Sequence, residues 1–392
     1  MVGRVEQLIH QFCPNGVKYK TIGEIAVDIF RGSGIKRDQI TETGTPCVRY
    51  GEIYTTYGVW FDTCVSHTDE SKITSKKYFE YGDILFAITG ESIEDIAKCS
   101  AYIGQERCLA GGDIVVLRNN QDTKYLSYAL STTDAQKQKG KGKVKSKVVH
   151  SSVPAIKELI VPIPPLEVQQ EIVRILDQFT ELTAELTAEL TARKKQYEYY
   201  RDELFRTAKN AGVHYLNEIA ENCDNQRKPV TSGNRVAGEY PYYGASGIVD
   251  YVDDYIFDGE YLLISEDGAN LLARSTPIAF SISGKNWVNN HAHVLHFDSY
   301  ETRRYVEIYL NSIDLSPYIT GGAQPKLNQK NLNKIPIPLP SHDEQFRIVS
   351  ILDRFDSLCN DLTSGLPAEI EARRKQYEYY RDKFLTFKEL KV

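Results

Sequence analysis

The chain has 392 residues, of which 41% are hydrophobic and 26% charged, so it is longer than one ordinary domain and has the composition of neither a disordered tract nor a membrane protein. No run of about 18 apolar residues occurs, and Arg4 and Glu6 interrupt the first ten residues, which predicts a cytoplasmic protein without a secretory leader. The net charge of −6 argues against nucleic-acid binding over the whole surface, although residues 1–157 carry 21 basic against 18 acidic side chains.

Residues 1–157 are predicted to form a mixed α+β domain. Alternating apolar residues from Gly82 to Ala87 predict a strand, and Lys124–Thr132 is typical of a helix. A run of alternating lysines follows, whose two glycines disfavour a helix, so we expect an extended segment with all six side chains on one side. This segment would suit the phosphates of a polyanion, and the alternative is a solvated loop. The run comprises Lys137, Lys139, Lys141, Lys143, Lys145 and Lys147.

Residues 158–208 predict one long amphipathic helix. No proline or glycine interrupts the chain between Pro165 and about Ala208, and apolar residues recur at intervals of three and four. At 1.5 Å per residue this helix is about 60 Å long and needs a packing partner. Thr180–Ala192 contains Thr-Ala-Glu-Leu repeats, each adding about 40° of rotation, close to the twist of about 35° per DNA base pair. The repeats are either an adjustable spacer or simply good helix formers.

Residues 209–335 predict a second α+β domain, which carries a net charge of −4. Gly259–Ile264 has the pattern of a strand and Thr302–Ser312 that of a helix. The glycine-rich segment Thr320–Asn328 lies where the lysine run lies in the first domain. Its side chains that can hydrogen-bond to base edges are Gln324, Lys326 and Asn328.

Two sets of side chains in this second domain, one of histidines and one of acidic residues, are candidates for a metal site or for acid–base catalysis. In a strand His291 and His293 would share one face, but no third metal ligand follows at helical spacing. Structural or DNA-contacting roles are therefore favoured for His291, His293 and His296, and His291 is the candidate DNA contact. Glu266 and Asp267 are adjacent and precede a glycine, which favours a turn over an acid–base pair.

Residues 336–392 repeat the central segment. Gln376–Asp382 has the same sequence, QYEYYRD, as Gln196–Asp202. We predict that the two helical segments pack as an antiparallel pair, with a break at residues 364–367 where Ser-Gly-Leu-Pro occurs. The chain is therefore a duplication, with domains at 1–157 and 209–335 and helical spacers at 158–208 and 336–392.

A weaker repeat pairs residues 24–26 with residues 218–220, both Glu-Ile-Ala. It suggests a circular arrangement of the two halves, in which the N-terminal segment takes the place in the first half that the end of the central helix takes in the second. The N-terminal segment is then predicted to pack beside the end of the distal helix, near residues 384–390.

Catalytic motifs are missing from the sequence. It contains neither a P-loop nor the Asp/Asn-Pro-Pro-Tyr/Phe tetrapeptide of amino-methyltransferases, and its seven cysteines include no C-x-x-C pair. We therefore expect no catalytic residue, no metal site and reduced, mostly buried thiols.

The repeated motifs resemble the DNA-specificity subunit of type I restriction-modification enzymes over nearly the whole chain. The similarity rests on PIPPLEVQQEIVRILD (162–177), PLPSHDEQFRIVSILD (338–353), the two copies of QYEYYRD and the run GGAQPKLNQKNL. The Thr-Ala-Glu-Leu repeats are similar to those of the type IC branch. The chain departs from symmetry because Arg193 lies 16 positions after Asp177 but Arg373 lies 20 positions after Asp353.

This resemblance implies an α+β fold with two globular target-recognition domains, separated by two long helices that form an antiparallel coiled-coil pair with pseudo-two-fold symmetry. Each domain would bind one half of a split, asymmetric site in double-stranded DNA. The helical spacer would dock two modification subunits that bind S-adenosylmethionine and methylate adenine, and ATP- and Mg²⁺-dependent restriction subunits would complete the complex. The chain itself would bind no cofactor.

Adjacent tyrosines of the repeated motif cannot all face one packing stripe, so some are expected to face outward and to contribute to docking. The alternative is that they close the helices onto the domains. The candidate docking residues are Gln169, Leu182, Leu186, Leu190, Tyr197, Tyr200, Gln345, Tyr377 and Tyr380.

Two other functions are compatible with parts of the sequence. The negative charge of the second domain is compatible with a helical scaffold that displays two binding modules and never contacts DNA. A metal-dependent nuclease using Glu266 and Asp267 is a third possibility, and it predicts cleavage by the isolated chain.

Overall fold

The computed structural model of the chain describes residues 2–141, 148–322 and 324–390. Two units follow from the internal contacts: Met1–Thr187 together with Glu369–Val392, and Ala188–Ala368. Each unit contains sheets, short helices and parts of the long helices, which confirms the mixed α+β class. In the described residues no helix is both long and apolar enough to span a membrane.

The long helices lie where the sequence predicts them. The central helix runs without interruption over Leu166–Thr207, and the distal segment forms two helices, His342–Asn360 and Leu366–Phe384. Between them the Asp361 carboxylate accepts hydrogen bonds from the Thr363 backbone and side chain, which ends the first distal helix. The predicted break is confirmed, and it lies in the longer, 20-residue interval.

Within the second unit the helices pack antiparallel. Tyr200 of the central helix contacts Phe355 of the first distal helix, with ring centroids 5.8 Å apart. Farther back along the central helix, Arg193 and Lys194 act electrostatically on the buried Cys359, which lies farther along the distal helix. The residue numbers of the contacts fall along the central helix as they rise along the distal helix, so the two helices are antiparallel.

The first unit is built on two five-stranded sheets, with the predicted strand in the centre of one. The first sheet has the order Ala26–Arg31, Ile114–Asn119, Ile84–Ala87, Cys99–Tyr102, Trp60–Phe61, and the second has the order Ile40–Thr41, Ser66–Thr68, Thr45–Val48, Cys108–Ala110, Tyr78–Phe79. Two antiparallel ladders join Lys18–Thr21 to Ile160–Ile163 and Thr89–Gly90 to Val149–His150. Its α-helices outside the long segments are Val2–Phe12, Ile22–Ile25, Tyr50–Thr55, Thr123–Ala129, Thr133–Gly140 and Val153–Lys157.

The second unit is built on one six-stranded sheet. Its strand order is Glu221–Asn222, Ala292–His296, Phe257–Ser265, Ala279–Val288, Ala237–Gly244, Gly247–Val252, and a separate ladder joins Gly212–His214 to Ile337–Leu339. Its short α-helices are Leu216–Ile219, Asn270–Ala273, Tyr300–Ser312 and Gln329–Leu332. The two units therefore share a class of fold but not a sheet plan.

One helix in each unit fastens the sheet to a long helix, and we call these the latch helices: Thr123–Ala129 in the first unit and Tyr300–Ser312 in the second. Both correspond to helices predicted from the sequence. A buried tyrosine on each donates a hydrogen bond to the carbonyl of a proline before the long helix, from Tyr125 to Pro162 at 3.0 Å and from Tyr305 to Pro338 at 2.6 Å.

A buried glutamine in the first turns of each long helix adds a second repeated contact. The Gln169 amide donates to the Pro164 carbonyl at 2.8 Å, and the Gln345 amide donates to the Pro340 carbonyl at 2.7 Å. Each side-chain oxygen accepts a hydrogen bond from the N-terminal end of a latch helix. Gln169 and Gln345 were predicted to face a partner, and this is wrong, because both are buried and their hydrogen bonds are used inside the units.

An aspartate about two turns farther along each long helix completes the latch. The Lys124 ammonium lies 2.8 Å from the Asp177 carboxylate, and Arg304 lies 2.7 Å from Asp353 at the equivalent place. Burial disfavours the charge on Arg304, but the surrounding carboxylates, which include Glu307, outweigh it and raise the pKa of the guanidinium above its usual value. Each latch therefore includes a charge-assisted contact between a latch helix and a long helix.

The N-terminal segment packs beside the end of the distal helix, as the circular arrangement of the two halves predicts. The Val17 amide donates to the Lys388 carbonyl at 2.8 Å, and the Leu390 amide donates back to Val17 at 2.9 Å. The repeated glutamates, Glu24 and Glu218, each accept a hydrogen bond from the backbone at the start of a short helix. The weak repeat therefore marks equivalent helix starts, and in the first unit the Thr21 side chain completes a capping box by accepting from the Glu24 amide.

Replacing Arg304 with Met should destabilise the second unit by about 3 kcal/mol, because the change leaves partly buried carboxylates without their cation. The free energy of unfolding, measured with urea by circular dichroism, would test this. Arg347→Met is the matched control, since Arg347 makes a more exposed pair with Glu344 and its loss should cost about 0.5 kcal/mol or less. Equal effects of the two changes would contradict the latch.

Candidate nucleic-acid interface

The central strand of the second unit ends in a polar face, which we call the strand-end face: Glu266–Gly268, His291 and Gln324–Asn328. Asp267 and Lys326 form a backbone bridge, and the Leu327 amide donates to the Glu266 carbonyl at 2.7 Å. His291 immediately precedes the neighbouring strand, and its Nδ1 lies 2.9 Å from both carboxylate oxygens of Asp267. The fold thus brings His291 and Lys326, both predicted DNA contacts, to one surface.

The other two predicted contacts of this segment have different settings. Gln324 is exposed. Asn328 is half-buried, and its side chain accepts a hydrogen bond from the Asn331 amide at 3.0 Å, which caps the helix Gln329–Leu332. The Asn328 oxygen therefore has a structural role as the cap of this helix, and the predicted base contacts of Gln324 and Asn328 stay predictions.

Beneath this face lies a charge network that sequence reasoning missed. The buried His293 contacts the Asp224 carboxylate at 2.6 Å, and Arg227 lies 2.7 Å from Glu266. Burial raises the pKa of both carboxyls, but the hydrogen bonds and charges of His293 and Arg227 prevail and hold each pKa below its ordinary value. No local sequence pattern indicates this network, because Asp224 and His293 are 69 residues apart in the chain.

Asp224, Glu266 and His293 could hold a metal ion, since their ligand atoms all lie within 4.8 Å of one another. Two cations already contact these carboxylates, Arg227 and the Lys326 ammonium, which is 3.2 Å from Glu266. A metal would have to compete with both. We interpret the cluster as structural, and Glu266 as a support for Lys326 rather than as an acid or base.

The lysine run of the first unit is not extended where the structure describes it. Lys137 and Lys139 lie in the helix Thr133–Gly140, which begins where the Thr132 side chain accepts a hydrogen bond from the Ala135 amide. Residues two apart on a helix point about 200° apart, so the expectation that all six lysines face one side is wrong. Lys143, Lys145 and Lys147 lie outside the described residues.

Lys139 differs from its neighbours. Its side chain is only 5% exposed, burial lowers the pKa of its ammonium, and the ammonium donates to the Cys99 sulfur at 4.0 Å. Lys137 and Lys141 are exposed. They remain candidates for phosphate contact, whereas Lys139 is not presented to a ligand.

The repeated tyrosines divide into inward and outward sets. Tyr377 and Tyr380 pack against the core of the first unit, and Tyr197 packs against the core of the second, where burial raises its pKa to about 12. Tyr199 and Tyr379 are 66% and 63% exposed. The expectation that some tyrosines face outward is confirmed, but three of the four chosen as docking residues are inward-facing.

The remaining candidate docking residues are neither fully buried nor fully exposed to solvent. Tyr200 is partly exposed although it contacts Phe355. Leu182, Leu186 and Leu190 are half-buried on the central helix. All seven cysteines are buried, as predicted, and none is paired with another in the structure.

Comparison with known proteins decides the family. Residues 14–193 and 209–372 match the family model of the type I restriction modification DNA specificity domain. The chain belongs to this family. Both matched stretches include an α+β domain and the beginning of a long helix, so the family pattern occurs twice.

Curated relatives of this family member agree. It is 36% identical over 293 residues to the specificity subunit of the Escherichia coli enzymes EcoR124I and EcoR124II, covering 67% of this chain and 70% of that one. It is 42% identical over 179 residues to a putative type I specificity subunit of Haemophilus influenzae, covering 45% and 46%. It is 31% identical over 239 residues to a putative type I specificity subunit of Mycoplasma pneumoniae, covering 57% of this chain and 94% of that one. The chain thus spans about half of the Haemophilus relative.

Solved structures of the family share the fold. The type I S subunit of Mycoplasma genitalium aligns over 94% of this chain and 96% of that one, with a TM-score of 0.58 and 16% identity. A chain from a structure describing assembly and conformational transition of the type I system aligns over 95% and 98%, with a TM-score of 0.62 and 17% identity. These likenesses confirm the predicted fold class.

Replacing the lysines at 137, 141, 143, 145 and 147 with Gln should weaken DNA binding for all sequences, because phosphate contacts carry charge but little sequence information. The slope of log affinity against log salt should fall by about 0.9 for each phosphate that is no longer neutralised. Titration of the assembled complex at several salt concentrations would measure both. Lys72→Gln with Lys76→Gln, two changes elsewhere in the unit, is the control. An unchanged slope would favour the solvated-loop alternative.

Proposed function

We propose that this chain is the sequence-specific DNA-recognition subunit of a type I restriction-modification complex. Each unit binds one half of a bipartite, asymmetric target in double-stranded DNA. The observation that carries this proposal is the repeated latch, in which Tyr125 and Tyr305 hold two different sheets on equivalent helices. Such a frame suits a protein that presents two different ligand surfaces in equivalent settings.

Catalysis would belong to the partners. The family resemblance implies two modification subunits, which use S-adenosylmethionine to methylate adenine N6, and restriction subunits, which use ATP and Mg²⁺. The names of the relatives, which are specificity subunits of restriction enzymes, support this division of labour. The chain would then act in the cytoplasm, where its DNA target lies, and would bind no cofactor itself.

The central helix would set the separation of the two half-sites. Thr180–Ala192, with its Thr-Ala-Glu-Leu repeats, is entirely helical, which supports a spacer whose length changes by whole helical turns. Membership of the type IC branch rests on these repeats alone.

The non-DNA scaffold is the second candidate, because residues 209–335 carry a net charge of −4. The two functions differ in a band-shift assay of the chain assembled with its modification subunits. Sequence recognition predicts that a duplex containing the methylated motif is bound at least about 1000-fold more tightly than a duplex without it. Equal affinity for both duplexes at physiological salt would favour the scaffold.

We further propose that the outward tyrosines dock the modification subunits. Tyr199 and Tyr379 occupy equivalent places in the repeated motif and are exposed, and tyrosine is a residue type enriched at protein interfaces. Two identical motifs provide two equivalent docking places.

Tyr199→Ala and Tyr379→Ala should each weaken the binding of one modification subunit by about 30-fold or more, because truncating a hot-spot aromatic costs a complex about 2 kcal/mol or more. Native mass spectrometry at a protein concentration between the wild-type and weakened dissociation constants should then detect one partner per chain for each single change and none for the double change. Tyr81→Ala, at an exposed tyrosine outside the motif, is the control. A wild-type complex that holds only one modification subunit would contradict the two-place arrangement.

A further inference from the structure

The two units build equivalent strand-end faces from different residues. In the second unit the Leu327 amide donates to the Glu266 carbonyl at 2.7 Å; in the first, the Ser151 amide donates to the Ile88 carbonyl at 2.8 Å. Asp267 then bridges Lys326, just as Thr89 pairs with His150. The same backbone ladder is therefore present in both units.

Two further contacts fix the correspondence. The Ile88 amide donates to the Asp113 carbonyl at 3.0 Å, and the Glu266 amide donates to the His291 carbonyl at 2.9 Å. Both ladders lead into a short helix that is capped by the side chain of the next residue, Ser152 in the first unit and Asn328 in the second. The corresponding triplets are Thr89, Asp113 and His150 in the first unit, and Asp267, His291 and Lys326 in the second.

The side chains of the two triplets differ where the backbone does not. His150, His291 and Lys326 are exposed, and the other three members are partly exposed. At each position the chemical type changes: a hydroxyl corresponds to a carboxylate, a carboxylate to an imidazole, and an imidazole to an ammonium. The same scaffold thus presents two distinct patterns of hydrogen-bond donors and acceptors.

We infer that Thr89, Asp113 and His150 are base-reading residues of the first unit, matched by Asp267, His291 and Lys326 in the second. This inference rests on the proposed function and assigns its specificity-determining positions. Hydroxyl, carboxylate, imidazole and ammonium groups are all able to hydrogen-bond to base edges in the major groove. Specificity of the first unit then lies in this triplet and not in the lysine run.

The difference between the triplets distinguishes DNA from a protein partner. A partner that binds twice needs two identical surfaces, and the outward motif around Tyr199 and Tyr379 is identical in the two halves. A surface that keeps its backbone but changes its side chains suits a ligand whose halves differ. An asymmetric DNA target is such a ligand.

The helix Thr133–Gly140, which carries Lys137, ends near the first triplet. A Cβ added at Gly140 would lie 3.1 Å from the side chain of Ile93, which is four residues after Thr89. Lys137 and Lys141 are exposed at this end of the unit, and they would contact phosphates next to the bases that the triplet contacts.

The test is to co-express each variant with the modification subunits and to sequence methylated adenines in the host DNA. Thr89→Ala with His150→Ala should relax one half of the wild-type motif, with about a tenfold loss of discrimination at one base pair or more. His291→Ala with Lys326→Ala should relax the other half only. Neither should change the spacing between the halves.

The controls are His10→Ala in the first unit and His342→Ala in the second, both at exposed histidines away from the triplets, and both should keep the complete motif. Thr89→Ser with His150→Asn serves if the alanine pair fails to fold or assemble, and it should alter the same half. An unchanged motif in assembled variants, or changes in both halves from one variant, would overturn the assignment. A wild-type complex without any methylation motif would instead refute the proposed function.

Discussion

The ion pairs between the latch helices and the long helices are the contacts on which the arrangement of each unit depends. Asp177 and Asp353 are each largely shielded from solvent and each contacts a cation from a latch helix, Lys124 or Arg304. A shielded carboxylate without its cation is costly, so the pair fixes one orientation of the helix against the sheet. The tyrosine and glutamine hydrogen bonds then set the position along the helix.

Because the repeated latch contacts involve only a few residues of one helix in each unit, the remainder of each unit is free to differ. The first unit has two five-stranded sheets and the second has one sheet of six, yet both end in the same backbone ladder. A constant frame with variable side chains allows a change of ligand without a change of assembly. The unchanged QYEYYRD motif is consistent with the proposed docking of one kind of partner at two places.

Much of this architecture was predictable because its signals are local. The central helix, the break near Gly365 and the latch helices follow from the spacing of apolar residues and from the positions of proline and glycine. The sheet plans were not predictable, because many strands are only two or three residues long and pair with distant segments. Local periodicity is weak in such short strands.

The sequence by itself determined the duplication, the long helices, the family and the presence of exposed tyrosines in each repeat. Only the tertiary structure decided which polar side chains reach the surface. It buried Lys139 and Gln169, which look exposed in a polar sequence, and it joined Asp224 to His293 across 69 residues. It also made Thr89 the counterpart of Asp267, although their surrounding sequences are dissimilar. The physical reason is that exposure and pairing depend on contacts between segments far apart in the chain, and no local pattern of residues specifies those contacts.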